Sequence, residues 1–276
     1  MSLALLCLLA QTMSQPPDAE LFWSPDPVAA LERAVPAKDG LEVFAPSGVD
    51  LETRTSVPVV LRRKGTLAES ARSPLRRFAV VLVLDLGADE AFAGPAVLPR
   101  GEERPFRVPD EATLAGMAPG LTTEQVVLDL RGVLPLPWRP AELLVLAVAR
   151  RLRSEPVRIS LRGRGQPAAV ALEAEIQPAS REGASRAPGA GAGTGLALRV
   201  DPKARRLEVT CEPAGKGDVH LLFVGTKHPA PTLFRLRARS GEESLSVDLA
   251  ALPLGAEPYT IWAVARGAVA GPVEVP

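Results

Sequence analysis

Asparagine is absent from the 276 residues of this sequence, and histidine, cysteine and aromatic side chains are scarce. There are two histidines and two cysteines, and the aromatic share is 4%. A shortage of ring faces argues against a sugar platform or a groove for single-stranded nucleic acid, because both depend on stacking. Without asparagine, tight turns must be made by Gly, Asp and Pro, and the sequence has 23 Gly and 28 Pro.

An excess of charge of one sign is also missing. Lys and Arg total 32, Asp and Glu total 32, and the formal net charge is zero. Such a chain has no long-range field that would gather nucleic acid or an anionic membrane, and we predict no nucleic-acid partner. Two local basic runs, Arg62–Lys64 and Arg150–Arg153, are expected to be solvated strand ends rather than anion sites.

Residues that usually carry catalysis or bind metals are sparse. Both histidines, His220 and His228, lie in the carboxyl-terminal part, and Cys211 precedes them within a strand-like pattern. No GxSxG motif occurs. The glycine-rich stretch from Gly189 to Gly195 has neither the GxGxxG spacing nor the lysine of a phosphate loop. We therefore predict no catalytic residue, no cofactor and no metal site.

The amino-terminal residues have the pattern of a short secretory signal. An apolar run from Leu3 to Ala10 is followed by small and polar residues, which predicts a signal peptide over residues 1–14 with cleavage after Ala10 or Ser14. A periplasmic or extracellular protein is then expected. No Lys or Arg precedes the run, so a buried or disordered cytosolic start stays as the alternative. The run is too short to span a bilayer.

One unit of sequence occurs twice. Leu143–Ser160 recurs without a gap as Tyr259–Pro276, and both copies contain Ala-Val-Ala-Arg. Such self-similarity indicates two copies of one structural unit. Upstream, Asp129 and Asp248 stand at matching positions. We expect both to bond loop amides rather than to act as acid and base.

Short segments rich in Val and Leu, separated by Gly, Pro and Asp, follow one another along the chain. This pattern is typical of antiparallel sandwiches. The predicted strands of the first unit are Leu41–Phe44, Val57–Arg62, Phe78–Leu86, Gln125–Leu130, Leu143–Ala149, Val157–Leu161 and a weaker Ala169–Ile176. Those of the second unit are Leu196–Val200, Leu207–Cys211, Val219–Val224, Leu233–Leu236, Leu245–Leu249, Tyr259–Ala265 and Val273–Val275.

The predicted fold is therefore all-β, with two tandem antiparallel β-sandwiches joined by a Gly/Ala/Pro-rich linker. A leader over residues 15–40, with a short helix at Val28–Arg33, precedes the first sandwich, residues 41–177. The linker occupies residues 178–195 and the second sandwich residues 196–276. The first sandwich contains a long connection, residues 87–124.

Two motifs lie near the end of the second unit. Its Leu-Pro-x-Gly segment, Leu252–Gly255, leads to Tyr259, and the last strand contains Pro-Val-x-Val, Pro272–Val275. These motifs resemble the last strands of fibronectin type III and immunoglobulin-like domains, which implies two tandem immunoglobulin-like antiparallel β-sandwiches. The resemblance implies a tyrosine corner, in which the Tyr259 hydroxyl bonds the backbone a few residues upstream. Leu143 stands at the matching position of the first unit, so we expect no corner there.

Several predicted strands are apolar on both faces. In Phe78–Asp85, for example, Val80 and Leu82 point to one face while Val81 and Val83 point to the other. A strand with one solvated face should alternate with polar residues. We expect a cover over the second face, supplied by the long connection, the leader, the other domain or a partner protein.

Two functional hypotheses follow. The first is an exported, non-catalytic interaction or structural module of the cell envelope or surface that binds another protein. The second is a small-molecule binder or enzyme with its site on the 87–124 connection. Ordinary connections are about 4 to 6 residues, and longer ones are often functional. Asp110 is placed to cap a helix over Glu111–Met117. We predict that this connection contacts a partner through Phe92, Arg104, Phe106, Arg107 and Met117.

Overall fold

Strands make up most of the structure, a computed structural model that describes residues 19–98, 107–117, 120–163, 195–201, 205–212, 218–226, 231–237, 244–255, 257–265 and 268–275. The expected signal peptide (residues 1–14) and weak strand Ala169–Ile176, together with all but the last residue of the expected linker, lie outside the described residues. The strands assemble into antiparallel sheets stacked in pairs, which confirms the all-β class.

The first domain is a sandwich of two sheets. Its strands are β1 (Gly40–Phe44), β2 (Gly48–Asp50), β3 (Pro58–Thr66), β4 (Ala79–Asp85), β5 (Glu90–Pro95), β6 (Leu121–Asp129), β7 (Ala141–Ala149), β8 (Leu152–Arg153) and β9 (Val157–Arg162). One sheet has the order β1-β3-β6, and the other has the order β2-β9-β7-β4-β5 with β8 beside β7. The pairs are antiparallel except for β2, which runs parallel to β9. Alternate apolar residues of both sheets fill the space between them.

Short helices join or precede these strands. They are α1 (Pro27–Ala34), α2 (Leu67–Arg72), α3 (Leu75–Phe78), α4 (Glu111–Gly116) and α5 (Leu130–Val133). The Asp110 side chain accepts the Thr113 N–H at 2.7 Å, so α4 and its predicted cap are confirmed. At α2, Thr66 and Glu69 form a capping box.

The second domain divides its strands as immunoglobulin-like sandwiches do. They are β10 (Gly195–Asp201), β11 (Arg206–Glu212), β12 (Asp218–Gly225), β13 (Pro231–Arg237), β14 (Ser244–Asp248), β15 (Tyr259–Ala265) and β16 (Ala268–Val275). The order is β10-β11-β14 in one sheet and β13-β12-β15-β16 in the other. The first, second and fifth strands thus face the third, fourth, sixth and seventh, and the chain is a tandem of immunoglobulin- and fibronectin type III-like sandwiches.

The sequence repeat appears as equivalent strands. β6, β7 and β9 of the first domain correspond to β14, β15 and β16 of the second. Asp129 Oδ1 accepts the N–H groups of Val57 at 2.8 Å and Arg131 at 3.1 Å. Asp248 Oδ1 accepts the Ala250 N–H at 2.9 Å. Both aspartates therefore hold backbone amides where a strand ends, as the repeat predicts.

The predicted tyrosine corner is present in the second domain. The Tyr259 hydroxyl accepts the Gly255 N–H at 2.8 Å. The Tyr259 ring lies edge-on to Phe223 with 6.3 Å between ring centroids, within the core of this domain. Because Leu143 begins the equivalent part of β7, the first domain has an aliphatic side chain at this place.

We expect Tyr259→Phe to lower the free energy of unfolding by about 1 kcal/mol, the net value of one hydrogen bond. The ring and its packing are retained, so the loss reports the bond to Gly255 alone. Urea melts of the full chain measure it. An unchanged midpoint and slope would show that the corner bond contributes nothing to stability.

The two domains pack sheet against sheet. The apolar residues that meet between them, called the domain interface below, are Val80, Leu82, Leu84, Leu144, Leu146 and Val148 of the first domain and Leu222, Val224, Trp262, Val264 and Val269 of the second. β5 and β13 also lie against each other. Four sheets are thereby stacked, and the central strands of the two inner sheets, β4, β7, β12 and β15, are buried on both faces. The cover expected over the second face of β4 and β7 is the other domain.

Two arginines make polar contacts between the domains beside the domain interface. The Arg151 guanidinium donates to both carboxylate oxygens of Glu274 at 2.6 Å each, and Arg153 donates to the Val269 carbonyl at 3.1 Å. The basic run Arg150–Arg153 therefore includes two side chains that bind the second domain. The Arg151 side chain is still 73% exposed, as expected of a solvated strand end. Arg153 is half-buried against the second domain, so that expectation is wrong for Arg153.

The leader covers the outer face of the sheet β1-β3-β6. Phe22, from a single 3-10 turn at Ala19–Trp23, is buried with Leu31 of α1, Val35 and Val60 of β3. Residue Asp26 caps α1 by accepting the Ala29 N–H at 3.0 Å. This sheet is therefore also buried on both faces over part of its area.

The described parts of the stretch predicted as one long connection, residues 87–124, contain more strand than expected. It contains β5, which pairs antiparallel with β4, then α4, and β6 begins before it ends. β5 was not predicted because its sequence, Glu-Ala-Phe-Ala-Gly-Pro, has one large apolar side chain and ends in two strand-breaking residues.

Candidate functional site

The five residues predicted to contact a partner are placed differently from one another. Phe92 is half-buried on β5 and packs against the first core. Arg107 is exposed, and Met117 is half-buried directly after α4. Arg104 and Phe106 lie outside the described residues.

A surface on the first domain combines α2, α4 and the start of β6; we call it the α2–α4 surface. The Leu67 N–H donates to the Gly120 carbonyl at 3.2 Å, which joins the start of α2 to the residue before β6. Arg72 of α2 binds Glu111 of α4 at 2.8 Å. These contacts place the amino-terminal end of α2 beside the start of β6 and α4 beside α2.

Large apolar side chains are exposed on this surface. Leu121 is 64% exposed and Leu67 is 40% exposed, and Val108, just before the α4 cap, is also exposed. The ion pair Arg72–Glu111, which joins α2 to α4, is also more than two-fifths exposed on both sides. Exposed apolar side chains together with charges of both signs are a composition found in protein contact surfaces.

The basic run Arg62–Lys64 is not a solvated strand end, and that expectation is wrong. Arg62 is 1% exposed. Its guanidinium donates to Glu42 at 2.9 Å and to the carbonyls of Val35 at 2.8 Å and Pro36 at 3.1 Å. It thereby holds the end of the leader to the sheet, and none of these donors is free for an external anion.

Arg63 has a similar structural role on the other side of the same strand. Its guanidinium donates to the Ser73 carbonyl at 2.6 Å and to Glu124 of β6. The other carboxylate oxygen of Glu124 accepts the Leu75 N–H at 3.1 Å. This buried pair fixes the segment between α2 and α3 against β6.

A polar cluster lies at the edge of the domain interface. Asp89, in the turn between β4 and β5, accepts the Asp218 N–H of the second domain at 2.9 Å. Its other carboxylate oxygen is 3.8 Å from Nε2 of His220. Arg235 on β13 donates to Asp218. Two carboxylates and a histidine thus meet where the domains touch, and Asp89 adopts a positive φ of 53° to reach them.

His220 is neutral by virtue of its surroundings. The side chain is 2% exposed. Burial lowers its pKa from the ordinary value, although Asp89 and Asp218 partly oppose this effect. Nε2 has no hydrogen-bond partner among the described residues. Its position between two domains was not predicted, because sequence shows the strand of a histidine but not what covers its face.

Within the described ranges, no group of three or more His, Cys, Asp or Glu residues is placed to hold a metal ion. Asp85, the buried acidic residue at the end of β4, accepts the N–H groups of Gly87 and Ala88 at 3.0 Å each and pairs with Arg139 at 2.7 Å. It stabilises the turn after β4. Among the helices that the structure describes, none has the length and apolar character to cross a bilayer.

Comparisons with known proteins give fold-level likenesses. No family model and no curated protein matches the sequence. Among solved structures, a two-domain fibronectin type III segment of chicken tenascin matches with 13% identity over 86% of this chain and 95% of that chain, at a TM-score of 0.18. An adhesin of Mobiluncus mulieris matches with 8% identity over 83% and 82% of the chains, at 0.20.

The BSP domain of a biofilm-associated protein matches with 10% identity and a TM-score of 0.23, covering 85% of this chain. The chain spans 29% of the length of that protein and 65% of a three-domain chicken contactin segment. Scores this low carry no argument about function. The fold assignment depends on the sheet order and the tyrosine corner described above.

Proposed function

We propose that this protein is an exported, non-catalytic interaction module that binds another protein through the α2–α4 surface. The observation that carries the proposal is the exposure of Leu67 and Leu121, which lie next to each other where α2 meets the start of β6. The large apolar faces of the central strands are buried in the domain interface, whereas the apolar side chains of the α2–α4 surface remain exposed to solvent.

The partner in this proposal is a folded protein with an apolar contact area and charges of both signs at its edge. Zero net charge supports short-range packing over long-range attraction as the source of affinity. Arg107 and Met117, which flank α4 in sequence, belong to the proposed contact area together with Val108. Export agrees with the signal-like start of the sequence.

Site-specific photo-crosslinking in the producing cells tests this proposal. A photoreactive residue at position 67 or 121 is expected to give one adduct of the same mass, whereas the same residue at exposed Arg199 of the second domain is not. Adding Leu67→Lys to the position-121 probe should abolish the adduct. The melting temperature should stay nearly constant, because exposed positions contribute little to stability.

Two results would reject the proposal. One is an adduct at position 199 equal to that at position 121, which would indicate non-specific capture. The other is the absence of any adduct at both 67 and 121 in a folded chain. Amino-terminal sequencing of the purified protein tests export separately, since intact Met1 would contradict signal cleavage.

A further inference from the structure

We propose that the polar cluster of Asp89 and His220 is an acid-sensitive latch, so that protonation of His220 releases the domain interface while both domains stay folded. The latch lies outside the α2–α4 surface, and its test does not depend on the proposed function. What it controls is the exposure of the apolar faces of β4, β7, β12 and β15.

His220 is on the face of β12 that meets the first domain. It shares this face with Leu222 and Val224, which belong to the domain interface, whereas Leu221 and Phe223 point into the second core. The first domain therefore covers the His220 ring and shields it from solvent. Separating the domains rehydrates the ring without breaking any strand pairing of β12, so protonation is coupled to opening rather than to unfolding.

The groups around the ring decide the direction of the effect. Asp89 faces it from the first domain, Asp218 from its own strand, and Arg235 from the paired position on β13. On the β15 side its paired residue is the uncharged Val264. Asp89 is already an acceptor for the Asp218 N–H. At 3.8 Å its second oxygen is beyond hydrogen-bond distance from Nε2.

Burial is the largest influence on His220, and the charge of Arg235 acts in the same direction. Together they outweigh the carboxylates of Asp89 and Asp218 and a hydrogen bond to the Asp89 backbone, so the pKa of His220 is lowered in the docked state. The His220 ring has the ordinary histidine pKa when the domains are apart and a lower pKa when they are docked. The open state therefore binds a proton at higher pH than the docked state, and the docked state loses stability as pH falls below the ordinary pKa. The loss begins near pH 6.5, the ordinary value for histidine, and continues down to the lowered value.

A second observation comes from the same face. Nε1 of Trp262 is buried in the domain interface and, like Nε2 of His220, has no hydrogen-bond partner among the described residues. Buried polar atoms without partners weaken the contact that buries them, because water satisfies them on separation. These two nitrogen atoms therefore oppose docking, because each can bind water when the domains separate.

The test uses thiol labelling of the full chain. Both natural cysteines, Cys7 and Cys211, are replaced by serine, and Val264→Cys reports opening of the domain interface. At each pH the labelling rate of this variant is divided by the labelling rate of the same variant carrying His220→Gln. The ratio cancels the intrinsic pH dependence of thiol labelling. From pH 7 to pH 5 this ratio is expected to rise by up to about 25-fold, the limit for a histidine that is neutral when docked and ordinary when open.

A control separates opening from unfolding. Val209→Cys, in the second core, should show no matching rise. Histidine titration by NMR adds an independent reading in the wild-type chain, because the sequence has two histidines and His228→Gln assigns the signals. His220 is expected to titrate below the ordinary value. The latch is rejected if the pKa of His220 lies above the ordinary histidine value or if the labelling ratio does not rise as pH is lowered. It is also rejected if labelling at position 209 rises as much as labelling at position 264.

Discussion

Leu82→Asp is expected to separate the two domains while each retains its fold. Leu82 is fully buried near the middle of β4 and points into the domain interface, whereas its neighbours Val81 and Val83 point into the first core. A carboxylate without a partner at this place costs several kcal/mol when buried. Separating the domains hydrates it without disturbing the first core.

Small-angle scattering should show a larger radius of gyration for Leu82→Asp, and an apolar dye should bind the uncovered faces, with little change in far-UV circular dichroism. Leu82→Met is the matched control, because a swap that conserves volume costs less than about 1.5 kcal/mol and should leave scattering unchanged. An unchanged profile for the aspartate variant would mean that the domains do not dock through this face. Loss of strand signal would mean that they cannot fold apart.

Arg62→Ala is expected to destabilise the first domain by roughly 3 to 5 kcal/mol and to release the leader. The change leaves the Glu42 carboxylate and the carbonyls of Val35 and Pro36 without their charged donor. These acceptors hold the end of the leader, so trypsin should cleave the leader faster at Arg33 on α1. Urea melts and a proteolysis time course measure the two effects.

Arg54→Ala is the control for this experiment. Arg54 also binds the leader, through Glu20 at 3.2 Å and over the Trp23 ring, but it is about one-third exposed. Exposed pairs contribute about 0 to 1 kcal/mol, so its loss should be much smaller. Equal losses for the two variants would contradict a special role for the buried Arg62.

Much of the fold could be predicted from the sequence because its local signals agree. Alternating Val and Leu segments, the repeat and the Leu-Pro-x-Gly segment before Tyr259 all indicate sandwiches, and the hydrogen bond from Gly255 confirms the corner. The double-faced apolar pattern of β4 indicates a cover. Periodicity shows that a face is buried but not what buries it. The sequence is therefore compatible with four covers for this face, and in the structure the cover is the second domain.

The wrong expectation for Arg62 and Arg63 and the unpredicted surroundings of His220 share one physical cause. Arg62 and Arg63 have the composition of a solvated strand end, but the leader and the α2–α3 segment bury them and satisfy their donors. His220 similarly has the sequence context of an ordinary strand residue, and only the turn at Asp89 makes it unusual. In each case the deciding partner is distant in sequence, and no local pattern identifies it.

The α2–α4 surface could be predicted only in part. The helix cap at Asp110 is confirmed. The long connection also suggests Arg107 and Met117 as contact residues, and this stays a prediction. Leu67 and Leu121 have no signal in the sequence, since isolated leucines at the ends of elements show no periodicity. They belong to one surface because the Leu67 N–H binds the Gly120 carbonyl.

The stacking of the two repeats resembles an isologous dimer within one polypeptide. β4 and β7 of the first copy meet β12 and β15 of the second, and these are equivalent strands of the two copies. In a two-fold dimer both subunits present the same self-complementary patch. One copy alone would expose such a patch to solvent, whereas in this chain each copy covers the patch of the other.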